Sequence, residues 1–492
     1  MNIQSGNGDV RRQPNILWIC TDQQRTDTLG CYGNPNVNTP NIDKLASQGT
    51  LFERAYCQSP VCTPSRASFM TGRYPRTTRC RQNGQKLPSD EKLISKRFAE
   101  QGYVCGLAGK LHLAPTHPAV CPGVEERGDD GYQVFRWSPA TGGTHEWALN
   151  EHTQWLNEKG KELKREAIAG SRQVYYGEDE EYRQGTWCIE EAAKFIRSNA
   201  KQGNKWFFSL NLFDPHHPFD PPKRLLDKYM EHLDRVPLPN YIPGELDNKP
   251  DYQKMDSEKA YNFAKHLNYK EMTEYEHKLI CASQWAIMEH VDEQIGLLME
   301  VLKKTGELEH TLVLFMSDHG EMLGDHGIYW KGPYFYEPLV KVPLLIAWPG
   351  VIQSGVRTSA LVELVDLAPT LLDAIQADVA PGIQGKSLWS LLKGEVPHDA
   401  HRDSVYCEYY NAQPWHPDLP PHCTMVSDGR YKLVRVHSSQ QGELYDLVKD
   451  AAETSNLYDD PAYLVVKLQM MELMTDRMAW TVDPLPERQA DF

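Results

Sequence analysis

The sequence predicts an α/β fold: a large, mostly parallel mixed sheet flanked by helices, followed by a small C-terminal α+β subdomain on a short antiparallel sheet. Three observations carry this. Short apolar runs alternate with helical stretches over most of the chain. Four of those runs stop abruptly at Asp, His or Lys. From about residue 400 the pattern changes to closely spaced strands joined by tight turns.

The first run, NILWIC (15–20), ends at Thr21, Asp22 and Gln23, and the helical stretch NIDKLASQG (41–49) follows. In SPVCTPSRASFMTGRYP (59–75), Pro64 suits a first helical turn and Ser65 to Met70 can continue it. Cys62 then lies at a helix N-terminus, where free N–H groups and the dipole favour an anion. It is either a packed core thiol or the reactive centre of an anion site. EKLISKRFAEQG (91–102) leads into YVCGLAG (103–109), which ends at Lys110, Leu111 and His112. WCIEEAAKFIRSN (187–199) leads into WFFSLNLF (206–213), which ends at Asp214, Pro215 and His216. A long helical stretch (285–306) precedes TLVLFMS (311–317), which ends at Asp318, His319 and Gly320. In parallel sheets the C-terminal strand ends line the ligand crevice. Asp22, Gln23, Lys110, His112, His216, Asp318 and His319 are therefore expected along one edge. Loops are polar everywhere, so one such run means little; four ending in titratable groups mean more.

Residues 145–185 and 220–275 are charged, Tyr-rich and weakly periodic, as insertions over that edge would be. They carry His145, Trp147, Trp155, Tyr175 and Tyr176. Beyond them, SVYCEYY (404–410), CTMVSDG (423–429) and YKLVRVH (431–437) predict antiparallel strands, with a final helix at 461–480. The expected division is a catalytic unit over 1–394 and a subdomain over 395–492.

The formal net charge is −15. That excludes a general nucleic-acid binder and requires any anion site to be a local cluster of Arg, Lys and metal. The eleven cysteines are odd in number and form no CxxC pair, which excludes a disulfide framework or zinc finger. The N-terminus has no apolar secretory core, and no run reaches membrane-spanning length. A cytoplasmic protein with reduced thiols, without a membrane partner, is expected; a removed leader would make it periplasmic.

Asp22 and Asp318 on neighbouring strand ends either cap the following segments or share a cation. Gln23 offers a carbonyl oxygen and His319 a ring nitrogen, so calcium, magnesium, manganese and zinc stay open. Arg66 lies about one helical turn after Cys62. The C-x5-R loop of cysteine phosphatases is excluded, because position 68 is Ser. Lys110 and Lys331 can bind anionic oxygens; His112 and His216 can move protons near neutral pH.

CTPSR fits a C-x-P-x-R signature and continues as ASFMTGRYP. GKLH, DPHHPF, SDHGEMLGDHG, WKGPYFYEPLVKVPLLI and ELYDL follow in order. With the N-terminal block, these motifs resemble the type I sulfatases of the alkaline-phosphatase-like superfamily over most of the chain. The resemblance implies a sulfuric ester hydrolase. Cys62 would be oxidised to Cα-formylglycine by a formylglycine-generating or anaerobic maturation enzyme that reads Thr63, Pro64 and Arg66 on the unfolded chain. One hydroxyl of the hydrated aldehyde would attack sulfur, and the second would expel sulfate. Asp22, Gln23, Asp318, His319 and residue 62 would hold the metal, calcium first and manganese second. Arg66 would orient residue 62, Lys110 and Lys331 would bind sulfate, and His112 would take the proton that drives elimination. His216 would protonate the leaving alcohol, with His217 as its alternative. Asn83 would contact sulfate; Arg81 and His217 are further candidates for substrate binding.

Asp22–Gln23 and Asp318–His319 replace the Asp-Asp and Asp-Asn pairs of many sulfatases, as in the bacterial choline-sulfatase and phosphonate-monoester-hydrolase branches. GKLH favours a sulfatase over a phosphonate monoester or phosphodiester hydrolase. A binding protein on the same fold is the third reading. The aromatic insertions favour a sulfated saccharide, small or oligomeric, over a small aryl or alkyl sulfate. A homo-oligomer is compatible with the sequence.

Overall fold

The computed structural model describes residues 13–141, 150–264, 267–416, 418, 420–437, 439–488 and 490. His145 and Trp147 lie outside the described residues. The principal sheet contains β1 (Asn15–Thr21), β2 (Thr50–Tyr56), β3 (Val104–Gly109) and β4 (Val134–Trp137). A small ribbon, β5 (Glu166–Ala167) and β6 (Tyr175–Tyr176), stands apart from it. The sheet resumes with β7 (Trp206–Asn211), β8 (Thr311–Ser317), β9 (Lys341–Val342), β10 (Leu344–Ala347) and β11 (Val356–Glu363). Its order is β11-β2-β10-β8-β1-β7-β3-β4, with β9 added beside β2.

β1 runs between β7 and β8 and is parallel to both. Every residue of β1 and β8 is buried. Ile16 and Trp18 enter one apolar core with Leu312 and Leu314, while Leu17 and Ile19 enter the core on the other face with Val313 and Phe315. Two covered faces explain why these strands are continuous apolar runs rather than alternating ones. Each large side chain so buried contributes about 1.5–3 kcal/mol. Only β9 and β10 run against the rest. The expected mostly parallel mixed sheet is thus present.

The expected helices are present with shifted ends. The first spans Pro40–Ser47, and the last of the four spans Glu274–Thr305, starting well before Trp285. A capping box between Thr273 and Glu276 fixes that earlier start.

The C-terminal sheet is β12 (Val405–Tyr410), β13 (His422–Ser427), β14 (Tyr431–Val436) and β15 (Gly442–Asp446), antiparallel throughout. The helix Leu464–Trp480 covers one face through Met470 and Met474, packed with Val426, Leu433 and Leu444. The opposite face, including Met425, Val434 and Tyr445, belongs to the same core as β1. Lys432 of β14 joins the two parts through Glu337 at 2.8 Å and Glu453 at 2.7 Å.

The insertions build a third apolar cluster, with Phe219, Leu225, Leu226 and Tyr229 against Leu279 and Trp285. Tyr176 hydrogen-bonds Asp227, and Trp155 stacks near His152. No described helix is long and apolar enough to cross a membrane.

Candidate active site

The tips of β1, β7 and β8 are tied together by backbone hydrogen bonds: Asp22 N–H donates to Asp214 O, and Asp318 N–H to Thr21 O, each at 3.3 Å. These bonds place Asp22 and Asp318 side by side at the sheet edge. The helix Cys62–Thr71 is buried along its whole length, starts at Cys62 and ends at Gly72, whose φ is 72°. Ser65 Oγ donates to Asp318 O at 2.6 Å, which fixes the helix start over that edge.

Ligand atoms of Asp22, Cys62, Asp318 and His319 all lie within 4.8 Å of one another. His319 Nδ1 lies 2.8 Å from Gly320 O, so Nδ1 carries the proton and Nε2 is left as an acceptor, 3.2 Å from Cys62 Sγ. The Gln23 N–H donates to Asp318 Oδ1 at 3.0 Å. The Gln23 side-chain nitrogen is held by Glu321, while its Oε1 is buried without a partner. Two carboxylates and an imidazole lone pair, with an unpartnered buried carbonyl oxygen on the residue that follows Asp22, are a donor set suited to a divalent cation. Asp22, Cys62, Asp318 and His319, four of the five metal ligands expected from the sequence, are therefore in one place.

Three cations balance the carboxylates. Arg66 pairs with Asp318 through Nε at 2.9 Å and with Asp22 through Nη2 at 3.2 Å, and donates to Lys110 O at 2.9 Å. Lys110 contacts Asp22 and lies 3.6 Å from Cys62 Sγ. Lys331 is 2.8 Å from that sulfur, 3.3 Å from His319 Nε2 and 3.1 Å from His216 Nε2. Burial opposes ionisation of Cys62, but Lys110 and Lys331 outweigh it and hold the thiol well below its ordinary value. Burial and Cys62 likewise oppose the Asp22 charge, yet Lys110 and Arg66 keep its carboxyl low. Burial, then Lys331, pushes His216 down; burial, then His216, pushes His217 further down.

His216 Nδ1 lies 2.6 Å from His217 O, so its proton sits there and Nε2 accepts from the Lys331 ammonium. His217 stacks on Trp330 at 4.4 Å, lines the cavity, and has Nδ1 3.4 Å from the Gln23 side-chain nitrogen. His112 is held neutral by burial and by Lys110, and faces Cys62. Asn83 Oδ1 accepts the Thr63 N–H at 2.9 Å beside the start of the Cys62 helix. Arg81 lies over the Tyr410 ring at 4.5 Å, away from the cavity wall.

Two carboxylates escaped the sequence reading. Glu321 accepts the N–H groups of Leu323 and Trp330 as well as the Gln23 amide, so it shapes the loop that delivers Lys331. Glu125 accepts the N–H groups of His112 and Leu113 at 2.9 and 3.0 Å, and the Trp137 indole at 2.9 Å. It stabilises His112 in a left-handed conformation, φ 59°. Glu321 stands within the quoted SDHGEMLGDHG block, three residues after Asp318. Above the site opens a cavity of about 600 Å³, lined by Lys110, His112 and His216 at its reactive end. Tyr175 also lines it.

The sulfatase family model matches residues 14–377, and a model described as N-sulphoglucosamine sulphohydrolase, C-terminal, matches 324–479. An arylsulfatase of Clostridium perfringens is 30% identical over 92% of this chain and 91% of its own. An N-acetylglucosamine-6-O-sulfatase of Bacteroides thetaiotaomicron is 26% identical over 97% and 88%. The crystal structure of a phosphonate monoester hydrolase of Agrobacterium radiobacter superimposes with a TM-score of 0.83 at 26% identity, over 96% of this chain and 97% of that one. A cysteine that opens a buried helix between two carboxylates and two lysines, on a sheet of this order, agrees with that family match: the chain belongs to the sulfatases, enzymes that hydrolyse sulfuric esters.

Proposed function

We propose that this sulfatase releases sulfate from a sulfated saccharide, with Cys62 converted to Cα-formylglycine and a divalent cation, calcium ahead of manganese, between Asp22, Gln23, Asp318 and His319. The observation that carries this reading is the convergence of Lys110, Lys331 and His319 on Cys62 Sγ, opposite the Asp22 and Asp318 carboxylates. The sulfur marks where an oxygen nucleophile would stand after maturation. A hydrated aldehyde at position 62 supplies two hydroxyls, one to attack and one to aid sulfate release. A bound divalent cation supplies a Lewis acid toward the sulfate oxygens.

The remaining roles fall to the chain's own groups. Arg66 pairs with both Asp22 and Asp318 and fixes their orientation. Lys110 and Lys331 point positive charge at the reacting group in a dry site, where it acts most strongly. Lys331 donates to His216 Nε2, so the pair holds one shared proton for the departing alcohol. His112, neutral and facing Cys62, is placed to accept a proton from that residue. Asn83 orients the backbone beside it. His217 lines the cavity beside Gln23, whereas Arg81 lies outside the cavity wall over Tyr410. The chemistry resides in residues 1–394, while 395–492 lends Trp415 to the cavity wall.

Lys110 and His112 side by side at the cavity end favour sulfate over phosphonate esters. The similarity to an N-acetylglucosamine-6-O-sulfatase supports a saccharide. The test is protein co-produced with its maturation enzyme, the peptide mass at residue 62, and sulfate release from sulfated sugars beside phosphonate monoesters. Turnover of phosphonates without sulfate release would overturn the reading.

A further inference from the structure

We infer that the substrate carries a second anionic group, a carboxylate or a further sulfate, and that Arg172 binds it. This rests on the sulfatase reading above. In a chain of net charge −15, the described residues that line the cavity include Lys110, His112, His117, Arg172, His216 and His217, and no Asp or Glu. A cavity with that lining repels no anion and offers nothing to a cationic head group beyond ring faces. Lys110 is already engaged with Asp22 and Cys62. Arg172 is the other permanent charge among the described lining residues.

The guanidinium is preset. Glu276 accepts from Nε at 2.8 Å and from Nη2 at 3.4 Å, and Glu271 O accepts from Nη2 at 3.3 Å. Glu276 is itself fixed, being buried and part of the capping box of the long helix. One edge of Arg172 is therefore held, while Nη1 has no hydrogen-bond partner among the described residues and remains open to a ligand oxygen. The segment that bears it is bolted to the histidine loop. Val174 bridges Phe219 in parallel, and Tyr175 N–H donates to Phe219 O at 3.0 Å. Arg172 and His217 thus stand at equivalent places on two neighbouring chains, each two residues before that bridge.

Aromatic side chains complete the wall. Trp330, Phe263 and Trp415 line the same cavity and form one packed group through Tyr261. A flat ring against such faces, with one sulfate at Lys110 and another anion at Arg172, fits a cavity of about 600 Å³.

The experiment compares two sugars esterified at one ring position: N-acetylglucosamine sulfate, and the glucosamine sulfate whose nitrogen also carries sulfate. Wild-type enzyme should favour the doubly charged sugar by about tenfold or more in kcat/KM, mainly through KM, which corresponds to ~1.4 kcal/mol. Raised salt should shrink that preference. Arg172→Gln should abolish it, and Arg172→Lys should keep part of it. Equal turnover of both sugars by the wild type, or a uniform loss on both in Arg172→Gln, would overturn the proposal and leave the sulfatase reading standing. No sulfate release from either sugar, with phosphonate turnover intact, would overturn the sulfatase reading itself.

Discussion

Glu321 takes the nitrogen of the Gln23 side chain and thereby leaves its oxygen buried and unpartnered, one residue after Asp22. The carboxylate touches none of the four clustered ligand atoms, yet it decides which end of the amide faces outward from its own contact. Burial raises the Glu321 carboxyl, and the hydrogen bonds from Leu323 N–H and Gln23 oppose that rise.

Glu321→Ala should weaken metal binding by about 10- to 100-fold, the usual cost of removing a partner that orients a ligand. Metal content after dialysis against a graded chelator measures it. Unchanged retention would show that Gln23 needs no such support.

His216→Gln should lower turnover of sugar sulfates by about 10²- to 10⁴-fold, because the Lys331 proton loses its relay to the alcohol. Aryl sulfates with acidic phenols leave without that help and should be much less affected. Parallel kcat/KM series against leaving-group pKa check this. An equal loss on both classes would assign His216 to binding.

Glu125→Gln should reduce kcat more than it raises KM. Glu125 holds the His112 backbone through two N–H groups and makes no contact with the cavity. Steady-state kinetics on one sugar sulfate separate the two effects. A rise in KM with kcat intact would sink the positioning role.

Lys432→Met should destabilise the chain by roughly 3–5 kcal/mol, since Glu337 and Glu453 would then face each other without their cation. The same bridge makes stability sensitive to acid. Burial opposes ionisation of Glu337, but Lys432 and Lys341 lower its carboxyl from 4.5 to about 2. Its contribution is therefore complete above pH 4.5 and is lost as pH falls toward 2. Burial pushes Glu453, the other partner of Lys432, upward, so Glu337 carries the acid-side loss. Thermal melts from pH 6 downward should show a decline that Lys432→Met flattens. Identical slopes in both proteins would remove Glu337 from the account.

The candidate site residues were readable because each follows an apolar run directly: Asp22 after β1, Lys110 after β3, His216 just past β7, and Asp318 after β8. Burial on both sheet faces forces such runs to be apolar, and the strand direction then sends their ends to one edge. β10 was not readable. Its four residues, LLIA, carry no period that distinguishes a strand antiparallel to its neighbours. Glu125 and Glu321 each accept two backbone N–H groups as well as one side-chain N–H, and backbone partners leave no side-chain pattern. Arg172 and Trp415 reach the cavity from remote segments, and only three-dimensional packing brings them together.

The position of β1 also sets a timetable. It has no neighbour in the sheet until residues 206–211 and 311–317 have been made. At ribosomal rates of about 5–20 residues per second, the stretch from the end of the Cys62 helix to the end of β8 takes roughly 10 to 50 seconds. During that interval the helix lacks the edge over which it later closes. Once closed, Cys62 is 1% exposed. If Cys62 is matured as proposed, the converting enzyme works against the clock of synthesis, and the order of strands in the sheet is what keeps the interval open.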